Sequence, residues 1–127
     1  MDLIILNELA KSVHKAAKEK GFYDTHLEFG TRLMLITSEL SEALEADRCY
    51  RHADMPAFEE CLEENVGEIE QYKAFQKYIK DTVEDEIADT FIRLLDLCGY
   101  MAIDIEKHIK HKLWYNEQRP RLHGKCY

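Results

Sequence analysis

Glu39 and Glu42 stand three residues apart, as do Glu86 and Asp89. On a helix that spacing sets two carboxylates one above the other on the same face. Mg2+ takes hard oxygen ligands in octahedral geometry, usually one or two carboxylates together with waters and substrate phosphates. Two helices that each offer such a pair, packed face to face, can hold ions of this kind in a bundle core. The neighbours of Glu39 and Glu42 on their own flank are Leu35 and Ala46, so these acids look partly enclosed. The competing reading is a solvated face. The chain carries 25 acids, Glu42/Glu45 and Glu60/Glu63 repeat the spacing, and most helical acids belong in water. Glu45, further round the helix, belongs with those.

Other chemistries leave little trace. A di-iron bundle uses Glu-x-x-His pairs, and there are none. His108 and His111 lie three apart, a spacing commoner in packing and surface than in a zinc site. There is no glycine-rich phosphate loop, no Ser/His/Asp arrangement and no reactive-cysteine context. A formal net charge of -8 argues against binding nucleic acid, which needs clustered Lys and Arg. An acidic protein that handles phosphates needs metal ions in between. Cys49, Cys61, Cys98 and Cys126 have neither CxxC nor CxxH spacing, and nothing resembles a secretory signal, so reduced thiols and a cytoplasmic location are expected. The apolar run over residues 1–6 is far too short to span a membrane.

The elements that must position the acids follow from periodicity. With 127 residues, 46% of them apolar, and only two prolines and five glycines, the chain should form one all-α domain, a bundle of four to five helices. A first helix is predicted over 2–20, capped by Asp2, stopped by Gly21 and buried through Leu3, Leu6, Leu9, Val13, Ala16 and Ala17. A second should begin near Asp24 or Thr25 and reach about Cys49, with Leu33, Ile36, Leu40, Ala43 and Leu44 on its core stripe. Residues 50–80 read as one or two helices or a mobile flap, with Pro56 suited to a first helical turn. The central helix, 83–98, turns Val83, Ile87, Phe91, Leu94, Leu95 and Cys98 to one face and Glu86, Asp89, Arg93 and Asp96 to a neighbouring stripe. Asp81 with Glu84 has the form of a capping box. Arg93 and Asp96 read as a structural pair. Gly99 to Ile103 should break the chain. Asp104 then caps a last helix through about Asn116, whose apolar side carries Ile105, His108, Ile109 and Leu113, and a basic tail follows.

The acidic pairs resemble a known family, the MazG-like all-α nucleoside triphosphate pyrophosphohydrolases, whose pattern is Glu-Glu-x-x-Glu followed by Glu-x-x-Asp on the next core helix. Here the blocks read Ser38-Glu39-Leu40-Ser41-Glu42 and Glu86-Ile87-Ala88-Asp89. The ending, with Lys112, Asn116 and Arg119 followed by Pro120-Arg121-Leu122-His123-Gly124-Lys125, is similar to a tail of one MazG-like subgroup. There are two departures: Ser38 occupies the place of the first Glu, and the spacer between Glu42 and Glu86 is longer than usual. The resemblance implies hydrolysis of a nucleoside triphosphate to monophosphate and pyrophosphate, with Mg2+ as cofactor and Mn2+ as a substitute. It implies that Glu39, Glu42, Glu86 and Asp89 are metal ligands and catalytic groups, that Lys112, Asn116, Arg119 and Lys125 contact substrate, and that the chain assembles as a homodimer or homotetramer. The alternative from another class is a non-catalytic acidic helical protein that docks a basic partner.

Overall fold

The computed structural model describes residues 4–64 and 67–127. The chain is all-α. Among the described residues six helices follow in order, α1 (Ile4–Glu19), α2 (Phe29–Arg48), α3 (Met55–Glu63), α4 (Glu68–Tyr78), α5 (Val83–Tyr100) and α6 (Ile105–Glu117), and then a short 3-10 turn, Arg121–Gly124. No strand occurs among the described residues. The helices sort into two compact units. One comprises α1, α6 and α5 from Leu95 onward, and the other comprises α2 to α4 with α5 up to Leu94.

In the first unit the core is built on Ala10, Leu95 and Cys98, with Leu6, Val13, Ile103 and Ile105 packed on it. Leu9 and Ala16, expected in that core, are exposed, while Ala10 takes the buried position. The predicted Asp2 cap and Leu3 contact lie outside the described residues. Helix α1 ends as expected at Gly21, whose φ of 88° closes a Schellman turn: Gly21 N–H donates to Lys18 O and Phe22 N–H to Ala17 O. Asp104 caps α6 by accepting from Lys107 N–H. Asn7 and Glu106 cap each other's helices, with Asn7 N–H donating to Glu106 Oε1 at 3.0 Å and Glu106 N–H to Asn7 Oδ1 at 3.4 Å. On α6, Ile105 and Ile109 are half-buried, but His108 and Leu113 face solvent.

Gly99 does not break the chain. Helix α5 runs through it to Tyr100 and ends in a second Schellman turn with Ala102 at φ 53°, where Ile103 N–H reaches Cys98 O. The glycine is there for packing: a Cβ on it would come within 2.6 Å of Ala10 O and 2.7 Å of His14 Cβ. Asp96, expected to pair with Arg93, instead binds α1 and the turn after it. It accepts from Tyr23 OH at 2.8 Å and is hydrogen-bonded to His14 Nδ1 at 2.9 Å.

In the second unit, α2 starts at Phe29, later than predicted, because Asp24 N–H is drawn back to Gly21 O in the preceding turn. Residues 50–80 are helical in two pieces, so the count is six rather than four to five. Asp54 caps α3 on Ala57 N–H with Pro56 in the first turn, and Phe58 meets Phe75 of α4 edge-on at 5.9 Å. The cap of α5 is displaced by one residue from the predicted box. Thr82 Oγ1 accepts from Asp85 N–H and Asp85 Oδ2 accepts from Asp81 N–H, which frees Glu84 for other partners.

The core stripes of α2 and α5 also differ from expectation. Ala43 and Ala46 are buried, whereas Leu33, Leu40 and Leu44 on α2 and Ile87, Phe91 and Leu94 on α5 are exposed. Large apolar side chains at core spacing thus remain uncovered in the single chain. Gly99→Ala is expected to cost about 2 kcal/mol, because the backbone of α1 cannot yield to the new methyl as a flexible side chain would. Urea unfolding of the two proteins checks this.

Candidate metal centre

Two helices of the second unit build the acidic site. On α2, Glu39, Ala43 and Ala46 fall on one buried line, and Ala46 has no exposed surface at all. From α5, Glu86 is turned inward. Glu39 and Glu86 retain only 7% and 6% of their surface, while Glu42 is exposed. One carboxylate oxygen from each of Glu39, Glu42 and Glu86 lies within 4.8 Å of the others. Three of the four acids singled out by spacing therefore come together. Asp89 does not join that triangle. Its side chain is one methylene shorter, and it lies half-buried one turn along α5.

The electrostatics follow from burial. The Glu86 carboxyl is pushed up from 4.5 to about 7, first by desolvation and then by hydrogen bonding to, and the charge of, Glu42, with smaller effects from Glu39 and Asp89. Asp89 is also raised, by desolvation and then by the charges of Asp85 and Glu39, against the opposing pull of Arg93. Glu39 is compensated differently. Arg93, one turn beyond Asp89, forms an ion pair with it through Nε. Buried carboxylates need a proton, a cation or a paired donor. Arg93 serves Glu39, and Glu86 relies on a proton. A set of hard oxygens, partly desolvated and short of positive charge, fits a divalent cation of the Mg2+ type better than a soft-ligand metal.

Next to the triangle lies a cavity of about 490 Å³ lined by Glu42, Glu45, Arg51, Lys80, Asp81 and Glu86. Glu45 is exposed and paired with Arg48 at 3.8 Å, yet it forms part of this rim. Arg51 and Lys80 were not legible as site residues, because they stand in turns outside any periodic pattern. The only hint was a cation at each end of the long spacer between the acidic motifs.

The residues assigned to substrate by resemblance belong to the first unit. Lys112 and Arg119 both sit over the Tyr115 ring, at 4.8 and 5.7 Å from its centre. Arg119 also donates to His123 O at 3.3 Å. Asn116 Oδ1 is buried with no hydrogen-bond partner among the described residues, and Lys125 is exposed in the tail.

Fold and site together define an all-helical protein with a partly buried carboxylate cluster. Compared with protein-family models, curated proteins and solved structures, the chain matches none. No described helix is long and apolar enough to cross a membrane.

Between about 4.5 and about 7 the folded chain holds a proton on Glu86 that the unfolded chain has released. The contribution of Glu86 to metal-free stability is therefore full below 4.5 and falls as pH rises to about 7. Glu86→Gln should flatten this dependence and stabilise the metal-free protein at neutral pH and above, by on the order of 3 kcal/mol. In the unsubstituted protein, apparent Mg2+ affinity should rise over the same range, since the ion must displace that proton. Urea titrations with chelator and calorimetric Mg2+ titrations across this range check both.

Proposed function

We propose that the chain is a Mg2+-dependent nucleoside triphosphate pyrophosphohydrolase of the MazG-like all-α type, cytoplasmic, converting (d)NTP to (d)NMP and pyrophosphate. The observation that carries this reading is the convergence of Glu39, Glu42 and Glu86, two of them buried, beside a cavity. A docking module for a basic partner would leave its acids in water. Arg93 offsets the burial of Glu39, but burying Glu86 costs stability that a bound cation or a proton would return.

In this reading Glu39, Glu42 and Glu86 would hold the ion through carboxylate oxygens, and Asp89, one turn along α5, is assigned to the same ion on the resemblance. Held there, Mg2+ or its substitute Mn2+ would supply positive charge for phosphate oxygens and lower the pKa of a bound water. Arg93 keeps Glu39 oriented. A carboxylate oxygen of the cluster accepts the proton of the attacking water, and the α–β anhydride bond breaks as pyrophosphate leaves. Lys112, Asn116, Arg119 and Lys125 are assigned to phosphate contact on the resemblance.

Homodimer or homotetramer assembly belongs to the same proposal. Leu33, Leu40, Leu44, Ile87, Phe91 and Leu94 stand uncovered at core spacing, Phe91 with 62% of its surface exposed. A patch of this kind marks an interface.

A panel of canonical and modified nucleoside triphosphates with Mg2+ should show pyrophosphate release, and Glu86→Gln should reduce it by about a hundredfold or more. No turnover of any triphosphate, or full turnover by Glu86→Gln, would falsify the reading. Light scattering should give a multiple of the 15.0 kDa chain mass. Phe91→Asp should lower that multiple, and a monomeric mass for the unsubstituted protein would end the assembly proposal.

A further inference from the structure

The cavity beside the carboxylates has two cations in its wall that neither the acidic motifs nor the basic tail accounts for. Arg51 comes from the α2–α3 turn and Lys80 from the α4–α5 turn. These turns are bonded to each other along their length. Val83 N–H donates to Arg51 O at 3.0 Å, and Asp54 N–H donates to Tyr78 O at 3.0 Å. Glu84 accepts from Ala53 N–H at 2.9 Å and is hydrogen-bonded to His52 Nδ1 at 3.0 Å. Arg51 Nε donates to Asp81 O at 3.1 Å, which uses one of the five guanidinium N–H groups and leaves the planar end held at the wall. The backbone takes left-handed conformations at both turns, with φ 56° at Tyr50 and 62° at Asp81. A glycine would take the Tyr50 conformation without strain. Strain of this kind collects where a turn is held for a purpose.

Neither cation is fully engaged by the fold. Lys80 pairs with Asp81 at 2.7 Å, but both side chains are at least half exposed, and such pairs contribute little to stability. The charge of Glu86 is felt at Lys80, after the larger effects of Asp81 and Asp85, so the ammonium and the carboxylate cluster share one field. The N-terminus of α5 offers no rival anion site here, since Val83 N–H goes to Arg51 O and Asp85 N–H to Thr82 Oγ1.

We propose that Arg51 and Lys80 are the phosphate-gripping residues of this pocket, contacting non-bridging oxygens of a polyphosphate ester whose remaining oxygens face the cation held by Glu39, Glu42 and Glu86. The inference rests on the proposed reaction for its substrate class, and on the cavity wall for the residues. A cavity lined by both cluster carboxylates and two cations, with Asp81 paired to Lys80, suits a metal–polyphosphate complex, positive where the ion would sit and negative along the chain.

The test is calorimetric binding of inorganic pyrophosphate in the presence of Mg2+, with Mg2+ binding alone measured in parallel. Arg51→Ala and Lys80→Gln should each weaken pyrophosphate binding by about tenfold or more. Mg2+ affinity should stay the same or tighten, because a positive charge has been taken from beside the carboxylates. Arg51→Lys should retain part of the binding, as charge without the fork. Lys80→Gln guards against misfolding of the Arg51 variants, since Lys80 bonds only an exposed Asp81 side chain. Wild-type pyrophosphate affinity in folded Arg51→Ala and Lys80→Gln, or a loss matched by equal loss of Mg2+ affinity, overturns the assignment. The parent reading fails separately: if no triphosphate is hydrolysed but pyrophosphate binding still depends on Arg51 and Lys80, the grip stands and the reaction does not.

Discussion

A carboxylate taken out of water needs a partner, and the second unit is arranged around that requirement. Glu39 and Glu86 face each other from α2 and α5, almost without exposed surface. Arg93 satisfies the first, whereas the second keeps its proton up to about 7. Ala43 and Ala46 follow Glu39 on the same buried line of α2. Without a cation the arrangement is costly, and a cation would convert that cost into affinity.

The turns beside the cluster are built to the same end. Tyr50 and Asp81 adopt left-handed backbone, and Glu84 leaves its predicted capping role to hold His52 and Ala53. Thr82 and Asp85 cap α5 in its stead. These substitutions of role keep Arg51 and Lys80 at the cavity wall. They give the long spacer between the acidic motifs a structural use, as two packed helices that return the chain to α5.

The first unit depends on polar closure rather than on bulk. Ala10 and Gly99 let α1 and α5 approach until no Cβ could fit on Gly99. Asp96 gathers His14 and Tyr23, and Tyr23 stacks on Tyr100 at 5.0 Å. Asn7 and Glu106 exchange backbone caps. Few large side chains are deeply buried, and hydrogen bonds at helix ends fix the geometry.

Local rules made much of this legible. Helix content, the stop at Gly21, the Asp104 cap and the acidic pairs all depend on neighbours within a turn or two, so residue type and spacing determine them. Tertiary structure decided the rest. Periodicity marks a face as apolar without saying what covers it, so Leu40 and Phe91 read as core and stand exposed. Gly99 reads as a breaker, but its backbone freedom is needed for the approach of α1. Arg93 and Asp96 share a stripe on α5 yet leave in different directions, because each finds its counter-group on a different helix. Arg51 and Lys80 meet only when two turns 29 residues apart are bonded together. The sequence by itself determined which acids could form a site. Only folding decided that buried Glu39 and Glu86 meet exposed Glu42 beside a cavity with two cations in its wall, because desolvation and charge act through space rather than along the chain.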